Sequence, residues 1–88
     1  MNLNGSVALV TGANRGLGAR LVKELLGAGA AKVYATSRTA GSVSADVAAD
    51  ARVQTLTLDI TDQASVAAAA AIAQDVTILV NNAGVLAF

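Results

Sequence analysis

Three glycines near the start of the chain have a spacing that suits a phosphate group. Gly12, Gly16 and Gly18 lie between an apolar run and a segment with helical periodicity. Gly12 permits a sharp turn, Gly16 lets a phosphate approach the backbone, and Gly18 lets the following helix pack against the strand. Unpaired N–H groups and a positive dipole end at the helix start favour an anion. The stretch predicts a pyrophosphate site, and a glycine-rich turn without a ligand is the alternative.

Further polar residues follow the other apolar runs of the chain. Arg38 follows the second run, Asp59 follows the third, and the sequence Asn-Asn-Ala-Gly at residues 81–84 follows the fourth. If the runs are parallel strands, their carboxyl ends meet at one edge of a sheet, which is where ligands bind in open α/β folds. We therefore expect these residues and the glycine turn to converge on one crevice.

Strand-like and helix-like segments alternate along the chain. The predicted strands are residues 7–10, 32–36, 53–58 and 76–80. The predicted helices are residues 15–28, part of 42–51 with Ser44 as its cap, and a segment from Thr61 or Asp62 to about residue 74. Such alternation is typical of an α/β fold with a parallel sheet. The Rossmann-type, doubly wound arrangement predicts the strand order 3-2-1-4, with flanking helices and a crevice between strands 1 and 4.

Two of these segments also carry a prediction about burial. Residues 7–10 are continuously apolar, so we expect this strand to be buried on both faces of the sheet. The first helix has apolar residues at four-residue spacing and polar residues on its other side, which predicts one apolar stripe. This stripe comprises Leu17, Leu21 and Leu25, with Val22 and Leu26 beside them.

The composition of the 88 residues excludes several classes of function. The chain has no cysteine and no histidine, which removes disulfides, thiolate nucleophiles, histidine bases and the usual zinc ligands. Its net charge is zero, it has no basic run, and only Tyr34 and Phe88 are aromatic, so nucleic-acid binding is not expected. No apolar run approaches the ~20 residues of a membrane span. We expect a cytoplasmic protein with no membrane partner.

Taken together, the motifs resemble those of the N-terminal part of a short-chain dehydrogenase/reductase. Residues 11–18 look like the Thr-Gly-x-x-x-Gly-x-Gly turn of that family. Asp59 with Ile60 matches its acidic residue after strand three, and residues 81–84 match its Asn-Asn-Ala-Gly segment. The resemblance covers essentially the whole chain. It implies that residues 1–88 are the N-terminal part of a single Rossmann-type NAD(P)-binding domain.

The resemblance also implies roles for individual residues. The Asp59 carboxylate would accept from the adenine amino group while the Ile60 N–H donates to the ring. The segment after strand four would lie behind the adenine ribose, with Asn81 partly structural through its amide and Asn14 similar within the glycine turn. The predicted cofactor-binding residues are Gly12, Asn14, Arg15, Gly16, Leu17, Gly18, Ser37, Arg38, Asp59, Ile60, Asn81, Ala83 and Gly84.

The end of the second strand indicates which dinucleotide is bound. Proteins that prefer NAD usually carry an acidic residue there to bind the ribose 2′-hydroxyl, whereas this chain has Thr36, Ser37 and Arg38. The Arg38 guanidinium could grip a 2′-phosphate, Arg15 could reach it from the glycine turn, and Ser37 could add a hydroxyl donor. The sequence therefore favours NADP(H) over NAD(H), the alternative being that both arginines are ordinary solvated residues.

The catalytic residues that the family uses are absent from the 88 residues. The resemblance implies a Ser and a Tyr-x-x-x-Lys pair, but the only tyrosine is Tyr34, four residues before Arg38, and we expect it to be a packing residue. Strand four would be an unprotected apolar edge, and we expect the chain to be truncated. An alcohol or carbonyl substrate, and a homo-oligomer, would then require the missing part. The alternatives are a non-catalytic NADP-binding module and a non-functional truncated fragment.

Overall fold

The computed structural model describes residues 3–14, 16–39 and 41–82, and each predicted strand and helix is present in it. The elements in chain order are β1 (Val7–Val10), α1 (Gly16–Gly27), β2 (Lys32–Ser37), α2 (Ala45–Ala48), β3 (Val53–Thr57), α3 (Gln63–Ile72) and β4 (Ile78–Val80). Ser44 caps α2 as predicted, and of the two candidate caps for α3 it is Asp62 whose carboxylate accepts from the first turn. The strand ends differ from the predicted ones by at most two residues.

The four strands form one parallel sheet in the order β3-β2-β1-β4, which confirms the predicted Rossmann-type order. Val10 at the end of β1 is paired with Ala35 of β2 and with Val80 of β4. Ser37 at the end of β2 is paired with Thr57 of β3. The carboxyl ends of all four strands therefore lie along one edge of the sheet.

Apolar side chains pack on both faces of this sheet. On one face α1 and α2 cover β1 and β2, and Val10, Val22 and Val33 are fully buried between them. On the other face α3 covers Leu9 and Tyr34. Residues 8–10 are all buried, and successive residues of a strand point to opposite faces, so the predicted two-sided burial of β1 is confirmed.

The buried face of α1 is displaced by about one residue position from the predicted apolar stripe. Leu17, which belongs to the predicted stripe, is 63% exposed, and the buried line of the helix comprises Gly18, Val22 and Leu26. Leu21 and Leu25 are only partly buried. The physical reason is that Gly18 has no side chain, so the helix approaches β1 most closely along the line through that residue.

Tyr34 is a packing residue, as predicted, and its hydroxyl is held at the amino-terminal edge of the sheet. The side chain is 2% exposed, and the hydroxyl donates to Asp75 Oδ1 at 2.7 Å. Lys32 Nζ donates to the same hydroxyl at 2.9 Å and pairs with Asp75 Oδ2 at 2.8 Å. Because β2 begins at Lys32, this cluster lies at the opposite end of the sheet from the glycine turn.

Arg52, directly before β3, forms an ion pair with Asp50 and ties this part of the chain to the end of α1 by a hydrogen bond. Arg52 Nη2 and Nε donate to the two carboxylate oxygens of Asp50 at 2.8 and 3.0 Å. Arg52 Nη1 donates to the Leu26 carbonyl at 3.1 Å, close to the C-terminus of the helix. These hydrogen bonds from the Arg52 side chain and backbone lower the pKa of Asp50 to about 2.

The lowered pKa of Asp50 predicts a specific acid sensitivity. Because the folded pKa lies below the ordinary value of 3.8, folding favours the carboxylate, so its stabilisation is present above about pH 4 and is lost as the pH falls towards 2. We expect Asp50→Asn to flatten the dependence of the urea unfolding midpoint on pH between 4 and 2. Glu24→Gln, which changes an exposed α1 carboxylate with no ion pair among the described residues, should keep the wild-type slope.

Candidate functional site

Hydrogen bonds beyond the strand ends hold the predicted residues along one edge of the sheet. Thr11 N donates to the Val80 carbonyl at 3.0 Å, and Ala13 N donates to the Thr36 carbonyl at 2.8 Å. Leu58 N donates to the Ser37 carbonyl at 2.8 Å. The glycine turn begins at one of these linked positions, and three predicted residues each directly follow another of them: Arg38, Asp59 and Asn81. The structure therefore brings these residues and the turn together at one edge of the sheet.

The glycine turn adopts a backbone conformation that requires glycine at two positions. Gly12 and Gly16 have φ values of +65° and +57°, in the left-handed region. A Cβ built on Gly16 would have no atom within 4 Å, so the space beside this residue is open. Asn14 is half-buried and makes no hydrogen bond with the described part of the chain, and Leu17 projects from the first turn of α1. Arg15 lies outside the described residues.

Gly18 is the point at which α1 contacts the turn. A Cβ at this position would lie 2.7 Å from the Gly12 carbonyl carbon and 2.8 Å from Asn82 Nδ2, and closer still to the Gly12 carbonyl oxygen. Two of these three contacts are with backbone, which cannot move away as a flexible side chain can. The close packing predicted for Gly18 is therefore confirmed.

Thr11 links the end of β1 to the segment that follows β4. Its hydroxyl donates to Asn81 Oδ1 at 3.1 Å and accepts from the Asn82 N–H at 2.8 Å. Asn82 Nδ2 in turn donates to the Gly12 carbonyl at 3.3 Å. The structural amide predicted at Asn81 is present, whereas Thr11 and Asn82 were not among the predicted site residues. Ala83 and Gly84 of the same motif lie outside the described residues.

Asp59 is fixed in a turn of its own after β3. Its Oδ1 accepts from the Thr61 hydroxyl at 2.6 Å and from the Thr61 N–H at 3.0 Å, while its own N–H donates to Ser65 Oγ at 2.9 Å. The Thr61 hydroxyl, then the Thr61 N–H, and more weakly the charge of Arg38, hold the pKa of Asp59 below its ordinary value. Neither Asp59 Oδ2 nor the Ile60 N–H bonds to any described residue, so both stay available to a ligand.

The residues that end β2 differ strongly in exposure. Ser37 is 3% exposed, and its hydroxyl donates to the Thr39 carbonyl at 2.9 Å and accepts from Ser42 Oγ at 2.7 Å. Arg38 is exposed and forms neither a hydrogen bond nor an ion pair within the described ranges. Ser42, which was not among the predicted residues, thus holds the Ser37 hydroxyl within the turn after β2.

An apolar groove of about 300 Å³ lies beside this edge, between α3 and strands β1 and β4. Leu9, Leu58 and Leu79 contribute to its apolar lining, and Thr11 and Asn81 contribute polar atoms. Ile60 lines the same groove and is 39% exposed. The predicted crevice between strands 1 and 4 therefore has one wall on which a flat apolar ring could lie.

Neither a metal-binding cluster nor a membrane-spanning helix occurs among the described residues. Residues 3–14, 16–39 and 41–82 contain no group of three or more His, Cys, Asp or Glu side chains arranged to hold a metal ion. Within those ranges, no helix has the length and hydropathy needed to cross a lipid bilayer.

Comparisons with known proteins agree with this geometry. A family model described as short chain dehydrogenase matches residues 6–88. The 3-oxoacyl-[acyl-carrier-protein] reductase FabG of Escherichia coli is 43% identical over an alignment of 92 positions, which covers 97% of this chain and 36% of that protein. The crystal structure of a short chain dehydrogenase from Burkholderia cenocepacia J2315 in complex with NADP is 49% identical, with a TM-score of 0.85 over 96% of this chain and 34% of that one.

A third similar protein is the NADPH-bound carbonyl reductase from chicken fatty liver. Its structure is 32% identical with a TM-score of 0.81, and the match covers 98% of this chain and 37% of that one. The chain thus spans about a third of the length of each of these three proteins.

Proposed function

This chain belongs to the short-chain dehydrogenase family, and from that premise we propose that it is the NADP(H)-binding part of an oxidoreductase that interconverts an alcohol and a carbonyl compound. Members of the family bind a nicotinamide dinucleotide. The observation that carries the proposal is the exposed Arg38, which makes no hydrogen bond or ion pair with the described residues, at a strand end where no acidic residue stands. The substrate and any homo-oligomer belong to the whole protein, for which a cytoplasmic location remains our prediction.

The residues present fit the pyrophosphate of such a cofactor. The first N–H groups of α1 have no partner within the helix, and the helix dipole places a partial positive charge there. The open space beside Gly16 leaves room for phosphate oxygens to approach these groups. When bound, the nicotinamide ring supplies or accepts the hydride, and we assign to this chain only binding and orientation.

The adenine would be held by the turn after β3 and by the apolar groove. Because Thr61 occupies Asp59 Oδ1, the carboxylate cannot rotate freely, and Oδ2 is left to accept from the adenine amino group. The Ile60 N–H supplies the matching donor. The groove offers the purine an apolar surface, and burying it there would add hydrophobic stabilisation.

The choice of NADP(H) over NAD(H) rests on charge. A guanidinium donates two parallel hydrogen bonds to a phosphate, and such charge-assisted bonds are about twice as strong as neutral ones. NAD(H) offers only a neutral hydroxyl at the same position. The NADP and NADPH named in two of the similar structures support the same choice by analogy.

We expect Arg38→Asp to weaken NADPH binding by at least about 1.5 kcal/mol, which is about 10-fold in Kd, and to spare NADH. The substitution removes the bidentate donor and sets a like charge against the 2′-phosphate. Isothermal titration calorimetry of the whole protein with each cofactor measures the effect. Arg20→Asp makes the same charge change on an exposed part of α1 and should leave the NADPH preference unchanged. Equal weakening of both cofactors by Arg38→Asp would contradict the proposal.

A non-catalytic NADP-binding module is the second candidate. The observation that favours it is that the described groups at the strand ends fit a dinucleotide, whereas Tyr34 is buried and its hydroxyl lies at the opposite edge of the sheet. The whole protein should oxidise NADPH when it is given carbonyl compounds if the oxidoreductase proposal is correct. Cofactor binding without turnover of any tested aldehyde or ketone would favour the module.

A further inference from the structure

Helix α3 forms one wall of the apolar groove but buries little of its own surface. Of its ten residues, only Ala69 is buried by the described part of the chain, and Val66 and Ile72 are 43% and 53% exposed. Val66, Ala69 and Ala70 line the groove, so the position of α3 sets the width of the groove. Interlocking side chains usually fix a helix in place, and a face of alanines offers few of them. The position of α3 therefore depends on how its two ends are attached.

Polar contacts attach both ends of this helix to the sheet. In its first turn, Ser65 Oγ accepts from the Asp59 N–H at 2.9 Å. Just beyond its last turn, Asp75 Oδ1 accepts from the Tyr34 hydroxyl at 2.7 Å, and Asp75 Oδ2 pairs with Lys32 Nζ at 2.8 Å. One attachment lies at the edge that carries the glycine turn, and the other lies at the opposite edge.

The attachment at the opposite edge is a closed cluster of three side chains. The Tyr34 hydroxyl, which donates to Asp75, also accepts from Lys32 Nζ at 2.9 Å. The Lys32 ammonium lies 4.7 Å from the centre of the Tyr34 ring, within the range of a cation–π interaction. Hydrogen bonds from Lys32 and then from Tyr34 hold the pKa of Asp75 below its ordinary value. The carboxylate therefore stays ionised at neutral pH, and hydrogen bonds to an ionised group are stronger than neutral ones.

The order of the strands gives this cluster a long reach. β1 lies between β2 and β4, yet Asp75, which precedes β4 in the chain, bonds to a side chain of β2. Two residues later, the Thr77 N–H donates to the Val7 carbonyl at 2.8 Å, which joins the same turn to β1. The Tyr34 ring packs in one apolar cluster with Leu9, which lines the groove. The turn after α3 is thus held against two strands, and its anchor on β2 adjoins the groove.

We infer that Lys32, Tyr34 and Asp75 are positioning residues for the adenine half of the cofactor, because they hold the end of α3 and thereby set the width of the groove. This inference rests on the proposed function, in which the groove takes the purine. Without the cluster, α3 would occupy the binding-competent position for a smaller fraction of the time. The apparent affinity for an adenine-containing ligand falls by that fraction.

The test uses adenosine 2′,5′-bisphosphate, the adenine half of NADP, titrated calorimetrically into the whole protein, together with hydrogen exchange of the free protein. We expect Asp75→Ala to raise the Kd about 5-fold at unchanged stoichiometry and to accelerate exchange in α3 but not in α1. Asp75→Asn keeps an oxygen for the Tyr34 hydroxyl and should restore most of the affinity. Asp46→Ala removes the carboxylate of another exposed pair, with Lys23, and should change neither property.

The outcomes separate this inference from the proposed function. A raised Kd with faster exchange confined to α3, reversed by asparagine, supports it. An unchanged Kd would mean that the cluster only stabilises the fold, and faster exchange in α1 as well would mean general damage, so either result overturns it. Tyr34→Phe keeps the ring and removes the hydroxyl, and it takes the place of Asp75→Ala if that variant does not fold. If the wild-type protein does not bind the fragment, the proposed function itself fails.

Discussion

Gly18→Ala is expected to destabilise the protein by about 3 kcal/mol, the upper part of the range for overpacking, and to weaken dinucleotide binding at least about 10-fold. The added methyl group would overlap the backbone carbonyl of Gly12, which cannot move away, and would press on the side-chain Nδ2 of Asn82. The overlap can be relieved only if α1 moves away from β1 or if the turn opens. Either movement displaces the N–H groups that we propose bind the pyrophosphate.

The matched control for this variant is on the same helix. Gly27 has no atom within 4 Å of a built Cβ, and its φ is not positive, so Gly27→Ala meets neither a clash nor strain. Alanine there should be neutral or stabilise the protein by up to about 1 kcal/mol because it restricts the unfolded chain. Urea unfolding gives the change in stability, and titration with NADPH gives the change in affinity. If the two variants behaved alike, the close packing at Gly18 would not matter for either property.

The fold was predictable because its signals are local and agree with one another. Continuous apolar residues predicted the burial of β1, and hydroxyl or carboxylate caps predicted the starts of α2 and α3. The order of the strands then followed from the regular alternation of strands and helices, since parallel strands need crossover connections. The prediction of the fold did not require knowledge of any contact between residues distant in the sequence.

Local sequence patterns did not predict the features that depend on contacts between residues distant in the sequence. Periodicity defines the stripe of α1, but Gly18 decides which line of the stripe contacts the sheet, and Leu17 is left exposed. The link between Thr11 and Asn82 joins residues 71 positions apart, so no local pattern indicates it. The contact between Ser42 and Ser37 was not predicted for a related reason, because it depends on how the turn after β2 folds.

Thr11→Val is the second substitution with a large expected effect. Valine has nearly the same shape but no hydroxyl, so the Asn82 N–H loses its acceptor and Asn81 Oδ1 loses its donor. Thr11 itself is 4% exposed, so water cannot readily replace the hydroxyl. Leaving a buried donor without a partner costs about 1–3 kcal/mol. The Asn82 N–H is part-buried and the bond to Asn81 Oδ1 is lost with it, so we expect a loss of about 2 kcal/mol in the free energy of unfolding.

The serine variant separates the hydroxyl from the methyl group of Thr11. Thr11→Ser keeps every hydrogen bond of the hydroxyl and removes one methyl group, so it should cost only about 0.8 kcal/mol. Urea unfolding of the two variants measures the difference, and hydrogen exchange should be accelerated at the Asn82 amide in Thr11→Val alone. Equal losses for serine and valine would mean that packing, not the hydrogen bond, joins β1 to the end of β4. A larger loss for valine would mean that Thr11 holds Asn82, and through its bond to the Gly12 carbonyl the glycine turn, in the position that the proposed cofactor needs.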